Sequence, residues 1–357
     1  MTSSQIVRYR LHQQQLSHQK FDDAESMVAF MGALQAQDYA AAKWSVGARL
    51  PEMTDAGVEQ AIADRTIIRT WALRGTLHFV APADVRWMIT HLSPRVKKKS
   101  AARNRELELD DAIFSKSNAV IVSALQGGKA FTREELGAAF ERKRISTKGE
   151  RMGHLLLRAA LDQVICLGPR NGKQFTYVLL DEWVPKKKTM KQDEAMATLA
   201  LRYFTSHGPA SLEDFAWWSG LTTTDAKAAL ESVSTQLHSE TVDGQTYWMS
   251  PSLPTIKKTS KAYFIPGFDE YLLGYTDRSA MVEDGHVKRV VNSSNGMYSS
   301  TILLDGRVAG LWKRTVKKDT VIIETTPLVK LDNSQKQAIE VAAKRYGKFM
   351  GGEVVAM

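Results

Sequence analysis

Apolar and polar positions along the first hundred residues predict a group of helices followed by a pair of strands. Apolar residues recur at helical spacing in three segments, at 24–34, 39–50 and 55–63. The β-branched run 66–73 and the run 76–80 flank Arg74-Gly75, which predicts a hairpin. A further helix is expected over 82–92. Three helices followed by a hairpin is the element order of a winged helix.

The same element order recurs twice. The expected second set consists of helices at 118–125, 133–140 and 150–161 and strands at 164–167 and 175–180, and the third of helices at 193–206, 212–218 and 226–233 and strands at 237–242 and 245–249. Strands are then expected within 262–329 and a last helix over 333–348. The repeat is one of topology, because little residue identity accompanies it.

The sequence therefore predicts an α+β fold of tandem winged-helix units followed by a small antiparallel, barrel-like β unit. The expected division is 1–115, 116–186, 187–255 and 256–357.

The polar interruption at Gln35-Ala36-Gln37 follows an apolar helical run. On an ideal helix, positions i and i+2 lie about 200° apart, so both carboxamides can enter one pocket only where the helix ends or distorts. Asp38 is a plausible N-cap for the next helix, which predicts such a break. The alternative is that both glutamines are exposed or capping groups.

Composition indicates a globular protein with a polyanionic partner. The chain has 357 residues and a formal net charge of +9. Short clusters of basic residues together fit a phosphate-bearing surface, although each alone is more typical of a solvated loop. These clusters are 97–99, 142–144, 186–188, 257–258 and 317–318.

Several other kinds of site find no support in the sequence. The eight histidines show no spacing typical of metal ligands, and no phosphate-binding loop is present, so neither a metal nor a cofactor is implied. The lone Cys166 lies in an apolar run and suits a reducing compartment. Neither a signal peptide nor a membrane segment is visible, and we expect a cytoplasmic, nucleoid-associated protein.

The first predicted hairpin carries candidate nucleic-acid contacts. Arg69, Trp71, Arg74 and His78 surround its turn and could bind phosphate or stack on a base. The alternative is a wing whose Trp71 is part of the core and whose arginines are exposed.

Several longer motifs then point to one family. They are Leu34-Gln35-Ala36-Gln37, Trp44-Ser45, 69–78 (RTWALRGTLH), 209–221 (PASLEDFAWWSGL), 267–278 (GFDEYLLGYTDR) and 305–312 (DGRVAGLW). With these motifs in this order, the chain resembles the winged-helix DNA glycosylases of the AlkZ-like family. The resemblance implies a glycosylase acting on double-stranded DNA that contains alkylated bases, with no obligate protein partner.

The resemblance also implies that Gln35 and Gln37 are the catalytic pair. Another branch of the family carries Asp at the second position, and this chain does not. Neutral glutamines suffice if the leaving base is already activated: an N7-alkylated purine is cationic and departs neutral, so the enzyme has to position a water and stabilise an oxocarbenium-like sugar.

Further candidates for contacts with DNA follow from the same interpretation. Lys43 and Trp44 follow the glutamine pair, and Arg278 and Arg314 lie in the C-terminal part. Core packing is an equally good interpretation of Trp44, while Lys43 leaves a lyase open. The alternative functions are a non-catalytic winged-helix DNA-binding protein or regulator, and a general nucleic-acid scaffold.

Overall fold

The computed structural model of the chain describes residues 1–186, 190–292, 296–317 and 320–356. Within these ranges the helices are α1 Ser3–Gln13, α2 Ala24–Met31, α3 Tyr39–Arg49, α4 Asp55–Ala63, α5 Val85–Glu106, α6 Asp111–Leu125, α7 Arg133–Arg142, α8 Arg151–Leu161, α9 Leu180–Trp183, α10 Gln192–His207, α11 Leu212–Ser219, α12 Thr223–Val233, α13 Glu270–Leu273, α14 Val287–Val290 and α15 Asn333–Met350. Lys187, Lys188 and Lys318 of the basic clusters lie outside the described residues.

The strands are short except for two in the C-terminal part. They are β1 Leu34–Gln35, β2 Ile68–Trp71, β3 Leu77–Val80, β4 Phe131–Thr132, β5 Ile165–Leu167, β6 Thr176–Leu179, β7 His238–Val242, β8 Gln245–Met249, β9 Ala262–Ile265, β10 Val291–Asn292, β11 Met297–Tyr298, β12 Thr301–Leu304, β13 Arg307–Lys317, β14 Thr320–Pro327 and β15 Glu353–Ala356. The fold is thus mixed α+β, as predicted.

The chain forms two compact units. One combines Met1–Val58 with Met196–Met357, and the other is Glu59–Ala195. The predicted order of three helices and a hairpin is present three times along the chain. That these sets pack as three winged-helix units, within the four-part division expected above, stays a prediction.

The Glu59–Ala195 unit is built on a sheet with the strand order β3-β2-β5-β6-β4, in which neighbouring strands are antiparallel. Its core includes Phe114, Phe140 and Leu156, and Trp71 packs against that core. Cys166 is buried in β5, as expected for a core residue, and burial raises the pKa of its thiol.

The other unit contains a sheet with the order β15-β14-β13-β12-β9. Neighbouring strands from β9 to β14 are antiparallel, as predicted, and Asp305-Gly306 forms the turn between β12 and β13 with positive φ at both residues. The prediction is wrong for β15, which is parallel to β14. The reason is topological: α15 connects the two strands, and a helical crossover returns the chain in the same direction.

An aromatic cluster fills the space between this sheet, α3 and α15. Trp44 lies 4.9 Å from Tyr346 and 5.0 Å from Phe349 between ring centroids, while Trp312 lies 5.0 Å from both Phe264 and Tyr346. Such rings each bury a large apolar area and fix the elements that carry them. The cluster therefore holds α3, which begins directly after the two glutamines, against the sheet.

Among the described residues, every helix is too short or too polar to traverse a lipid bilayer.

Candidate active site

Gln35 and Gln37 lie in a non-helical connection between α2 and α3. The helix predicted through Leu34 ends at Met31, because Gly32 adopts a φ of +81° that terminates it. The backbone is extended at Leu34 and Gln35, and Asp38 caps α3 by accepting a hydrogen bond from Ala41 N at 3.0 Å. The predicted break is confirmed, so the 200° separation of an ideal helix does not apply to the two carboxamides.

The two glutamines differ in exposure. Gln35 is 8 % exposed, Ala36 is fully buried, and Gln37 is exposed. A carboxamide offers both an acceptor oxygen and two N–H donors, so this connection presents both kinds of group at positions two residues apart. The connection can therefore orient a small polar molecule such as water without supplying a charge.

A buried carboxylate, Glu270, fixes the backbone of this connection. One of its oxygens, Oε1, accepts a hydrogen bond from Gln35 N at 3.0 Å, and the other, Oε2, accepts one from Trp218 Nε1 at 2.9 Å. His207 Nε2 lies 3.6 Å from Oε2. Burial lowers the pKa of His207, against the raising effect of Glu270, so the ring is neutral near pH 7.

The preceding residue, Asp269, fixes the helix on the other side of the glutamines. Ser45 and Arg49 are separated by one turn of α3 and so share a face. The two terminal guanidinium nitrogens of Arg49, Nη1 and Nη2, donate to Asp269 at 2.8 and 2.9 Å, and Ser45 Oγ donates to it at 2.6 Å. Asp269 also accepts Tyr271 N at 2.9 Å, which caps α13.

This ion pair is fully buried, with both side chains 0 % exposed. Burial alone would raise the pKa of Asp269, but the charge and hydrogen bonds of Arg49, with Ser45 and Tyr271 N, lower it below the usual value. Gln14 Oε1 accepts another Arg49 N–H at 2.9 Å, so the guanidinium is held on two sides. The carboxylate is therefore ionised at neutral pH.

Sequence reasoning did not single out Asp269, Glu270 or Arg49. The two acids stand in the motif 267–278, but more than two hundred positions separate them from the glutamines, and spacing carries no information over that distance. The available signal was the Asp-Glu pair between apolar residues, Phe268 and Tyr271, where two adjacent charges require buried partners.

Two candidates on α3 are buried. Lys43 is 4 % exposed, and its Nζ lies 2.6 Å from Asp55. Trp44 is 2 % exposed, and its Nε1 donates to Phe264 O at 2.8 Å within the aromatic cluster. These positions support the alternative of a core residue for Trp44, while a contact of either side chain with DNA stays a prediction.

The hairpin candidates lie in the Glu59–Ala195 unit, on β2, β3 and their turn. Arg69 is 3 % exposed with its guanidinium 4.2 Å from the Phe175 ring centre, and His78 is 0 % exposed with Nδ1 2.9 Å from Thr76 O. Trp71 packs on the core, as the alternative interpretation expected. Arg74 occupies the turn with a φ of +56° and is partly exposed.

The two C-terminal arginines are partly exposed. Arg278 donates to Leu272 O and to Tyr298 Oη, each at 2.7 Å. Arg314 donates to Tyr346 Oη. Both guanidinium groups are thus oriented by neighbouring acceptors, and both residues belong to the unit that contains the two glutamines.

Within the described ranges, no group of three His, Cys, Asp or Glu side chains could hold a metal ion. The buried carboxylates of Asp269 and Glu270 accept hydrogen bonds from α3, from α11 and from the glutamine connection itself.

Comparison with known proteins gives this geometry a context. The family model for DNA glycosylase AlkZ-like proteins matches residues 28–349. The interstrand DNA cross-link repair glycosylase of Streptomyces sahachiroi is 26 % identical over 373 residues, covering 97 % of this chain and 96 % of that protein. The solved structure of the S. sahachiroi DNA glycosylase AlkZ has a TM-score of 0.77 at 22 % identity, covering 100 % of each chain, which shows a shared fold.

The match spans most of the chain and includes both glutamines and both buried acids. It confirms the resemblance drawn from the sequence motifs and does not favour a non-catalytic regulator. The chain belongs to the AlkZ-like DNA glycosylase family and is accordingly an enzyme that hydrolyses N-glycosyl bonds in DNA.

Proposed function

We propose that this enzyme releases alkylated, N7-substituted purines from double-stranded DNA, including bulky adducts and interstrand crosslinks. The observation that carries the proposal is the connection between α2 and α3, where Gln35 is buried with its backbone fixed by Glu270 and Gln37 is exposed. The curated relative named above is an interstrand cross-link repair glycosylase, which supports crosslinked DNA as a substrate.

In the proposed mechanism the two carboxamides act on water and sugar. An N7-alkylated purine carries a positive charge, and the glycosidic bond breaks with both bonding electrons leaving on the base, which becomes neutral. One glutamine oxygen accepts a hydrogen bond from water and directs the water lone pair to the anomeric carbon, while the second carboxamide fixes the water or the deoxyribose. Glutamine does not take up a proton, so the proton that the attacking water loses passes to solvent.

The proposed reaction is simple hydrolysis. A lyase would need an unprotonated lysine nucleophile. The nearest candidate in sequence, Lys43, is 4 % exposed and its Nζ lies 2.6 Å from the Asp55 carboxylate, so its nitrogen is engaged in an ion pair. Asp38 is occupied as the N-cap of α3. Both positions support water as the nucleophile and the glutamines as the groups that orient it.

For contacts with the DNA backbone we propose the partly exposed arginines, Arg74, Arg278 and Arg314. A guanidinium held by neutral acceptors keeps its charge and further N–H groups for a phosphate. The predicted contacts of Lys43, Trp44, Arg69, Trp71 and His78 would require these largely buried side chains to become accessible in the complex.

The test is base release from a duplex that carries one N7-methylguanine, measured in single turnover with enzyme in excess. Replacing Gln35 or Gln37 by Ala should lower the rate by about a hundredfold or more, as for loss of one preorganised polar group in other active sites. DNA affinity, measured by fluorescence anisotropy, should stay the same. Gln60→Ala is the matched control, because this exposed glutamine on α4 bonds only to Asp64 among the hydrogen bonds described, and it should keep the full rate.

A second duplex with an interstrand crosslink between N7 atoms tests the wider substrate range. Unhooking of this duplex with the same dependence on the two glutamines is the expected result. If wild-type protein binds both duplexes and releases neither base, a DNA-binding protein without this activity is the better interpretation. Full rates in both alanine variants would reject the assignment of the pair.

A further inference from the structure

We infer that Glu270 is a positioning residue for catalysis, which holds the backbone of the Gln35–Gln37 connection in its reactive geometry. The inference rests on the proposed function, because it presumes that Gln35 acts on the reacting water or sugar. It assigns to Glu270 no contact with the substrate.

The hydrogen bonds of Glu270 connect the glutamine connection to α11 and so anchor its backbone. The side chain is 1 % exposed, and its two oxygens accept from two different elements, the backbone N–H of Gln35 and the indole N–H of Trp218. A buried backbone N–H needs an acceptor, and for Gln35 N that acceptor is Oε1 of Glu270. Glu270 therefore determines where the backbone of Gln35 lies relative to α11, which carries Trp218.

Trp218 supports the same connection from a second point. A Cβ placed on Gly32 would lie 3.2 Å from the Trp218 ring, so the turn that ends α2 packs closely on the indole. The ring thus limits the position of Gly32, while the carboxylate bonded to its N–H limits that of Gln35. Together they hold both ends of the segment 32–35.

The position of Glu270 is itself determined by its neighbours. Asp269 binds Arg49 and Ser45 of α3 and caps α13, in which Glu270 is the first residue. Gln14 Nε2 donates to the backbone carbonyl of Glu270 at 3.4 Å. The carboxylate is consequently presented from a short, well-anchored helix and not from a mobile loop. Small displacements of reacting groups can lower a rate by about a hundredfold, so such an anchor matters for turnover.

Glu270→Gln tests the inference with little change in volume. The amide oxygen can accept from only one of the two donors, and the amide N–H₂ must then face the other donor. We expect a 10- to 100-fold lower single-turnover rate of N7-methylguanine release, with unchanged DNA affinity. We also expect faster amide hydrogen exchange in the peptide covering 32–38, a readout that does not depend on activity.

Asp162→Asn is the control. Asp162 belongs to the Glu59–Ala195 unit, is partly buried and accepts from Asn118 Nδ2 and Arg158 Nε, each at 3.0 Å, without contact with the glutamine connection among the described hydrogen bonds. Its variant should lose thermal stability and keep both the rate and the exchange of 32–38. Equal losses of rate in the two variants would show that Glu270 has a merely structural role.

The remaining outcomes separate the inference from the proposed function. Unchanged exchange of 32–38 in Glu270→Gln would refute the anchor, whatever the rate. Faster exchange with a full rate, while Gln35→Ala is slow, would refute positioning and leave the proposed function standing. A full rate in Gln35→Ala would refute the proposed role of Gln35, and the positioning role would fall with it.

Discussion

The buried ion pair between Asp269 and Arg49 gives the sharpest prediction about stability. In Asp269→Asn the side chain keeps its shape and loses its charge, so a guanidinium that is 0 % exposed remains without its counter-charge. The amide nitrogen would also face a donor, because Arg49, Ser45 and Tyr271 N all donate to this carboxylate. Removing one partner of a buried pair costs about 3–5 kcal/mol.

The expected change in melting temperature follows from that free energy. For a folding unit of 150–250 residues, 1 kcal/mol corresponds to about 2–4 °C, so Tm should fall by about 6–20 °C at pH 7. Thermal unfolding followed by circular dichroism and urea unfolding at 25 °C measure the two quantities. Lys348→Ala, which removes an exposed ion pair with Glu52, serves as the control and should leave both unchanged.

The pH dependence of the same variant tests the electrostatic reason. The pKa of Asp269 is lower in the folded protein than in the unfolded chain, where it is about 3.9. Its charge therefore stabilises the folded state above about pH 4, and that contribution is lost as the pH falls through the folded-state pKa. The difference between wild type and Asp269→Asn should be constant from pH 6 to 8 and shrink in more acidic solution. A difference at pH 7 below about 1 kcal/mol, or one that persists undiminished under acid conditions, would refute this reasoning.

Two further predictions separate core residues from DNA contacts. Trp44→Ala should lower the free energy of unfolding in urea by about 3–5 kcal/mol, because the Trp44 ring packs against Tyr346 and Phe349. The folded fraction of this variant should bind DNA as wild type does. Weakened DNA binding with full stability would contradict this prediction. Arg278→Ala should weaken DNA binding equally for all sequences and reduce the slope of log affinity against log salt by about 1, measured by anisotropy between low and moderate salt. An unchanged slope would exclude Arg278 from the phosphate contacts.

How well the sequence predicted an element depended on whether its end is determined locally. Helix α4 has the predicted bounds because Thr54 accepts Gly57 N at 3.0 Å, a contact within one turn. Helix α5 was expected to end at Leu92, before Pro94, but it continues to Glu106. Its second half is stabilised by distant partners, including a bidentate contact of Arg103 with Glu150, and no local pattern reveals such partners.

In the candidate site, too, the features determined by local contacts were predicted and those determined by distant contacts were not. The break in the helix and the role of Asp38 follow from adjacent residues, and both were predicted. The resemblance to a family supplied the catalytic assignment of the glutamines, which no spacing rule provides. The carboxylates that fix this connection come from the other end of the chain, and only the folded structure places them there.

The adjacency of Asp269 and Glu270 explains why the ion pair between Asp269 and Arg49 is buried at this position. An apolar pair in place of Asp269 and Arg49 could supply comparable stability, since the cost of desolvating two charges offsets much of their attraction. An apolar pair would not fix the orientation of α13 relative to α3. The bidentate contact and the N-cap fix α13 in both position and rotation relative to α3, and the next residue along α13 is the acceptor of Gln35 N. The ion pair therefore acts on the glutamine connection through one intervening peptide bond, which accounts for a charged pair at a position where stability alone would be served by leucine.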